Sequence, residues 1–305
     1  MKFDYDVLIV GGGPAGLSAA LNLARMQRKV ILCDDARPRN APSSHLNSFP
    51  TRDGIHPQEW RKLAMADIEK YRTTEFFSGS VKSIEKQSAG FRAELSSSKY
   101  VHVRKVILAE GIQDRHPDIP GLKDLWGKSV FHCPFCHGYE VRDKKLALLS
   151  DATFAAHMVP MIRGLSKDLV LLTNGAENLD PEFIRHLEKN TVPWISKKIT
   201  HLESVGEQLR SVHFVDGEKI NLEGIFMTPV LPFQIKSSLG TSLGCELNEM
   251  GLYKIGMKYE TSVPGVYAAG DSSTMMHSVL MASAAGSMAG AAAVHEILAE
   301  DFARK

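Results

Sequence analysis

Short runs with almost no polar position alternate with turn-rich stretches along this chain. Residues 7–10 read Val-Leu-Ile-Val, and residues 29–33 and 105–108 are apolar after a leading lysine. Uninterrupted apolar runs of this length predict strands buried on both faces, as in a parallel sheet. Between the first two, the Ala- and Leu-rich residues 17–26 predict a helix, and residues 60–71 predict another. Further strands are expected near residues 74–80, 81–86, 91–95 and 100–108. Pro117, Pro120 and Gly121 then break the pattern and mark a linker. A new block opens with a strand at 146–149. Strands at 169–173 and 209–214 follow, with a helix at 181–190 between them. The chain loosens again at 231–233. It resumes with residues 261–271, a strand ending in Gly270-Asp271, and then a helix starting near Ser278. Strands and helices alternating in two blocks predict an α/β fold. The apolar run 279–298 is mostly Ala, Gly, Ser and Met and carries His295 and Glu296. That composition predicts a buried helix packed close to a ligand, not a membrane span.

Length and composition narrow the classes. The 305 residues suffice for two domains, and 44% hydrophobic with 23% charged residues is ordinary for a globular protein. Thirty-six Lys and Arg against 35 Asp and Glu leave a net charge of +1. No basic block points to nucleic acid as a partner. Four cysteines do not make a disulfide scaffold, which fits a reducing compartment. The first residues run straight into the first strand with no signal-peptide pattern, so a cytoplasmic protein without a membrane anchor is expected.

Two motifs carry chemistry. Between the first strand and helix stands Gly11-Gly12-Gly13-Pro14-Ala15-Gly16, and Asp34 follows 18 residues after Gly16, at the end of the second strand. In such a loop Gly11 allows a tight turn, Gly13 lets a pyrophosphate approach the backbone, and Gly16 lets the helix pack on the strand. The helix N-terminus offers N–H donors and Asp34 can accept from a ribose hydroxyl. Residues 37–47 form a long loop of turn chemistry in which Arg39, Asn40, His45 and Asn47 are candidates to line the ligand. The second motif is Cys133-Pro134-Phe135-Cys136-His137. Two cysteines at this spacing store two electrons as dithiol or disulfide. The same spacing is half of a zinc site, for which His132 and His137 could complete the set, or a merely structural pair. The dinucleotide loop favours redox chemistry and no metal.

Together the chain resembles the low-molecular-weight thioredoxin reductase family. The resemblance rests on residues 11–16, on Ala109-Glu110-Gly111 where the family usually has Ala-Thr-Gly, on the Cys133/Cys136 pair and on residues 261–271. It implies two Rossmann-like, three-layer ββα domains. A FAD domain of residues 1–116 and 241–305 would be interrupted by an inserted, NADPH-domain-like unit of residues 117–240 carrying the dithiol. It also implies FAD, a homodimer, and a cofactor site drawn from Gly11, Gly13, Pro14, Ala15, Gly16, Asp34, Val81, Ala109, Glu110, Gly111, Gly270, Asp271 and Ser278. Asp271 would accept from the ribityl chain, and the helix starting near Ser278 would point its positive end at the flavin ring.

The departures shape the expected function. The inserted unit should carry its own G-x-G-x-x-A loop, but residues 149–155 read Leu-Ser-Asp-Ala-Thr-Phe-Ala, with Ser150 and Ala152 in place of glycines and Asp151 adding negative charge. The basic cluster expected after the next strand is replaced by Thr173-Asn174-Gly175-Ala176-Glu177. His137 stands where reductases of this family have Asp as the proton carrier. In this the chain is similar to the dithiol oxidases that close disulfides in natural products such as gliotoxin and holomycin. The resemblance thus implies a FAD-dependent oxidase of small dithiols or of a thioredoxin-like protein, independent of NADPH, with oxygen as acceptor. Cys133 would exchange with substrate, Cys136 would face the flavin and His137 would move the proton. The alternatives are disulfide reduction driven by a ferredoxin or by NADPH through the degenerate loop, and a flavin redox sensor with no turnover.

Overall fold

The computed structural model describes residues 2–150 and 154–303. Contacts divide the chain into two units. The first comprises Met1–Ala41, Ile55–Asp114 and Leu231–Lys305, and the second Pro42–Gly54 and Arg115–Val230. Both are layered α/β structures, as the alternation of strands and helices predicts.

The first unit is organised around the strand Tyr5–Val10, which pairs in parallel with Val30–Asp34 on one side and Tyr100–Leu108 on the other. Leu8 and Ile9 are fully buried, which explains the lack of polar positions there. The strand Tyr100–Leu108 is long enough to serve two partners along its other edge. Its first half pairs antiparallel with Phe91–Leu95 (Phe91 opposite Val103), and its second half parallel with Val266–Ala268 (Val266 opposite Val106). The chain's late return to this sheet therefore places Gly270 and Asp271 at the same strand ends as the glycine loop.

The helix Pro14–Arg25 begins earlier than the apolar pattern suggests, because Pro14 and Ala15 form its first turn. Pro is well suited to that position, where its missing N–H would have no intrahelical partner. It packs along the C-terminal helix Val279–Ala303, and this contact accounts for the small residues of the latter. A Cβ at Gly286 would lie 1.9 Å from the Ala15 carbonyl oxygen, and one at Gly290 2.8 Å from that of Ala19. The small-residue run thus serves close helix–helix approach. Among the described residues no helix is long and apolar enough to cross a membrane.

The second unit holds five parallel strands in the order Trp194–Ile195, Leu169–Leu172, Leu146–Leu149, Gly224–Met227 and Val130–Phe131, and a three-stranded antiparallel sheet from Ile199–Val205, Gln208–Phe214 and Lys219–Asn221. The helix Ala155–Leu165, which contains Pro160, and the strand Ile199–Val205 are not evident in the sequence pattern.

Candidate functional site

In the first unit the glycine loop forms a cradle. Gly11 has φ +103°, and a Cβ there would lie 2.4 Å from the Ala109 carbonyl oxygen. A Cβ on Gly16 would lie 1.9 Å from the Gly11 carbonyl oxygen, so glycine is what lets strand and helix meet. Around Gly13, in contrast, nothing lies within 4 Å of a Cβ position, and no side chain caps the helix that starts there. That open backbone at a helix N-terminus is the arrangement a pyrophosphate needs.

Asp34 closes one side of the cradle. Its Oδ1 accepts from the Gly12 N–H at 3.0 Å, and its Oδ2 is paired with Arg61, whose Nε donates to the Gly12 carbonyl at 3.2 Å. Arg61 is a cradle residue that the sequence pattern does not reveal. Arg39 links Asp114 and Asp271. Asn40 lies half-buried in the adjoining turn. Val81 is buried at the start of the strand Val81–Lys86, and Ser278 precedes the C-terminal helix, where its Oγ accepts from the Met281 N–H at 3.1 Å.

Ala109, Glu110 and Gly111 (φ +69°) turn the chain beside Gly11. The Glu110 carboxylate is turned inward: Oε1 accepts from the Tyr253 hydroxyl at 3.0 Å and from Ser237 Oγ at 3.1 Å, and Oε2 is enclosed without a partner. Burial raises its pKa to about 7, against the pull of those two hydrogen bonds. Tyr253, Ser237 and Glu110 thus tie residues distant in sequence to the cradle.

In the second unit, the strand Val130–Phe131 runs into the one-turn helix Pro134–His137. Cys133 and Cys136 are joined in a disulfide, with Cα atoms 5.3 Å apart. Both are half-buried, so exposure does not distinguish them. Position does: Cys133 is the N-cap, and its Sγ accepts from the Cys136 N–H at 3.2 Å. Such a donor favours a thiolate on Cys133 when the bond opens. Among the described residues no group of three or more His, Cys, Asp and Glu is disposed to hold a metal.

The loop Pro42–Gly54 clamps this helix. Asn47 Nδ2 donates to the Cys136 carbonyl at 2.9 Å, and Ser48 Oγ to the Phe135 carbonyl at 3.0 Å. Asn47, a candidate to line the cofactor by its place in the loop, thus also holds the dithiol helix. His45 is exposed in the same loop. His137 stacks on Phe131 (centroids 4.6 Å apart, planes at 20°), and its Nε2 lies 3.2 Å from Ser43 Oγ. The Ser43 hydroxyl donates its one proton to the His45 carbonyl at 2.7 Å, so Nε2 is the N–H donor to Ser43. Nδ1, enclosed and without a partner, then carries the lone pair. Burial lowers the His137 pKa, Glu140 works in the opposite direction, and His45 adds to the lowering. Phe135 and Tyr139 are 77% and 69% exposed beside the disulfide, and Arg142 lies over the Tyr139 ring at 3.9 Å.

At the end of the strand Leu146–Leu149, Ser150 is buried and its Oγ accepts from the Thr228 hydroxyl at 3.3 Å. The neighbouring substitutions at Asp151 and Ala152 lie outside the described residues. In the turn after Leu169–Leu172, Asn174 Oδ1 accepts from the Ile199 N–H at 2.8 Å, a backbone-capping role.

One layered α/β unit with an open dinucleotide cradle and a second with a cysteine pair at a strand end define a thiol–disulfide oxidoreductase that works with a bound dinucleotide. The chain belongs to the pyridine nucleotide-disulphide oxidoreductase family, which it matches over residues 5–289. It is 32% identical over 318 residues to the thioredoxin reductase sirT of Leptosphaeria maculans, spanning 99% of this chain and 97% of that protein. Among solved structures it is similar to HlmI, with 35% identity, a TM-score of 0.92, and coverage of 98% of this chain and 94% of that one. It is also similar to an oxidoreductase from Agrobacterium tumefaciens, with 34% identity, a TM-score of 0.90, and coverage of 98% and 99%. The protein is therefore an oxidoreductase of the thioredoxin reductase type, acting on disulfide or dithiol groups, and its cofactor is FAD. The residues present fit that cofactor, because the space at Gly13 and the uncapped helix N-terminus are left clear for a pyrophosphate.

Proposed function

We propose that the protein oxidises dithiols to disulfides through Cys133 and Cys136, without NADPH and with oxygen as the final acceptor. FAD would be held by the cradle at Gly11, Gly13, Pro14, Ala15 and Gly16, by Asp34 and Asn40, by Val81, by the turn at Ala109, Glu110 and Gly111, and by Gly270, Asp271 and Ser278, with Arg39 behind Asp271. Bound there, it would supply a two-electron acceptor able to restore the disulfide, with oxygen, reduced to hydrogen peroxide, as the final acceptor of the pair. The chain's own residues perform the exchange. A substrate thiolate attacks Cys133 Sγ, the Cys133–Cys136 bond breaks, and Cys136 leaves as a thiolate. The second substrate thiolate attacks its partner sulfur, releasing the product disulfide and the Cys133 thiolate. Neutral His137, held in the required tautomer by Ser43, takes up at Nδ1 the proton of a substrate thiol as that thiol becomes the attacking thiolate; the second thiol's proton goes to solvent, and two protons are used again when oxygen becomes hydrogen peroxide. Asn47 and Ser48 keep the helix in place while the disulfide opens and closes.

The observation that carries the oxidase reading is the make-up of the second unit's nucleotide loop. Ser150 stands at the first, turn-forming glycine position, buried and engaged with Thr228; the sequence has Ala152 at the position where a pyrophosphate needs bare backbone; and residues 173–177 offer no cation for a 2′-phosphate. Free, buried Cys33 and Cys245 suit a reducing cytoplasm, and a homodimer is part of the same reading. A second reading, disulfide reduction fed by a donor such as ferredoxin, is favoured by the name thioredoxin reductase given to the Leptosphaeria relative. Oxygen uptake with a small dithiol separates the two. The oxidase consumes one oxygen per disulfide formed, and Cys133→Ser abolishes the uptake. No dithiol-dependent uptake in the wild type would contradict the proposal.

A further inference from the structure

Arg39 lies in the loop after the strand Val30–Asp34, its side chain only 15% exposed. Its Nε and Nη2 form a fork on the Asp114 carboxylate, with separations of 2.8 and 2.6 Å, and its Nη1 donates to Asp271 Oδ2 at 2.8 Å. Three segments far apart in sequence thus meet at one guanidinium. Burial works against its charge, but Asp114 and Asp271 together hold its pKa above the ordinary arginine range. Gly270, at φ +83°, lets the chain turn against the cradle: a Cβ there would lie 2.9 Å from Ala15 Cβ. Asp271 is the next residue. Among the described residues Arg39 is the hydrogen-bond partner of that carboxylate, engaging Oδ2 and leaving Oδ1 able to accept. His277, whose enclosed Nε2 has no partner, packs edge-on against Phe233 in the following turn.

We propose that Arg39 is a positioning residue for the cofactor: anchored on Asp114, it fixes the Asp271 carboxylate so that the free oxygen accepts from a hydroxyl of bound FAD. This rests on the reading of Asp271 as a FAD ligand given above. Arginine is suited to the task because a planar fork can hold one carboxylate with two donors and reach a second with the third. Without it, the donor that holds Asp271 Oδ2 is lost. The loss of one charge-assisted hydrogen bond corresponds to about a 10- to 100-fold change in affinity.

Dilution of the purified holoprotein, followed by the rise of free-flavin fluorescence, gives the FAD dissociation constant of each variant. Asp271→Ala and Arg39→Ala should each weaken FAD by about 10- to 100-fold. The double variant should be no weaker than Asp271→Ala within about threefold, because Arg39 acts through Asp271. Arg39→Lys should fall between Arg39→Ala and wild type. If Arg39→Ala does not accumulate as folded protein, Arg39→Lys carries the same cycle. Wild-type affinity in the Arg39 variant, or a double variant that loses the product of the two single effects, overturns the proposal. Wild-type affinity in Asp271→Ala removes Asp271 from the FAD site itself, and the proposal with it.

Discussion

Replacing Glu110 by Gln should make the protein more stable relative to wild type as pH rises. Glu110 has a carboxyl pKa of about 7 in the folded chain against an ordinary 4.5, because burial penalises the charged form. A group whose folded pKa is raised contributes stability that is fully present below its unfolded pKa and is lost as pH rises through the folded one. A rise from 4.5 to about 7 corresponds to about 3 kcal/mol over the full range, of which about 2 kcal/mol falls between roughly pH 5.5 and 8.5. Gln keeps the acceptor that Tyr253 and Ser237 use. Its amide nitrogen takes the place of the unpartnered Oε2, at a cost that does not depend on pH. The measurement is thermal unfolding of both holoproteins across that pH range, followed by circular dichroism. The difference in Tm should move in favour of the variant by roughly 4–8 °C from the acid to the alkaline end. A pH-independent difference, or one that moves toward wild type, would refute the reasoning.

His137→Ala should keep FAD and both cysteines but lose about 10²–10⁴-fold in dithiol turnover. In the wild type, turnover should fall as acid protonates His137, at a pH below the ordinary imidazole range because its pKa is lowered by burial; a pH–rate profile of the variant should lack that limb. Ser43→Ala, which removes the partner fixing the tautomer, should lower kcat while leaving the absorbance spectrum of the flavin unchanged in a direct scan. Gly286→Val should destabilise the first unit by at least about 1–3 kcal/mol, since its Cβ would overlap the Ala15 carbonyl; urea titration of the holoprotein reads the loss, with weaker FAD retention accompanying it because Ala15 belongs to the cradle.

The parts of the site carried by local spacing are legible in the sequence. The glycines at 11, 13 and 16 stand in one six-residue motif, Gly11 and Gly16 where another backbone comes close and Gly13 where the backbone is left open, and the Cys133/Cys136 pair is set by the reach of one helical turn. The α/β character follows from runs such as residues 7–10, whose burial on both faces leaves no polar position. What is not legible depends on partners far away in sequence. Arg61 meets Asp34 across 27 residues, Asn47 meets Cys136 across 89, and Arg39 meets Asp271 across 232. No periodicity encodes those pairings. Helix Ala155–Leu165 is hidden for a different reason, because Pro160 is a breaker that tertiary packing overrides. The small residues of Val279–Ala303 are visible in the sequence, but only the structure shows that they accommodate the helix Pro14–Arg25.

The central claim is that electrons enter from a dithiol and not from a pyridine nucleotide. The lost 2′-phosphate contacts, at roughly 1.5–3 kcal/mol each, would alone weaken NADPH binding by about two to four powers of ten if two are missing. Anaerobic stopped-flow of the holoprotein, following flavin absorbance, tests this directly with NADPH, NADH and a small dithiol in separate syringes. The account predicts rapid bleaching by the dithiol, and little or none by NADPH or NADH. Saturable reduction by micromolar NADPH, faster than reduction by the dithiol, would contradict it.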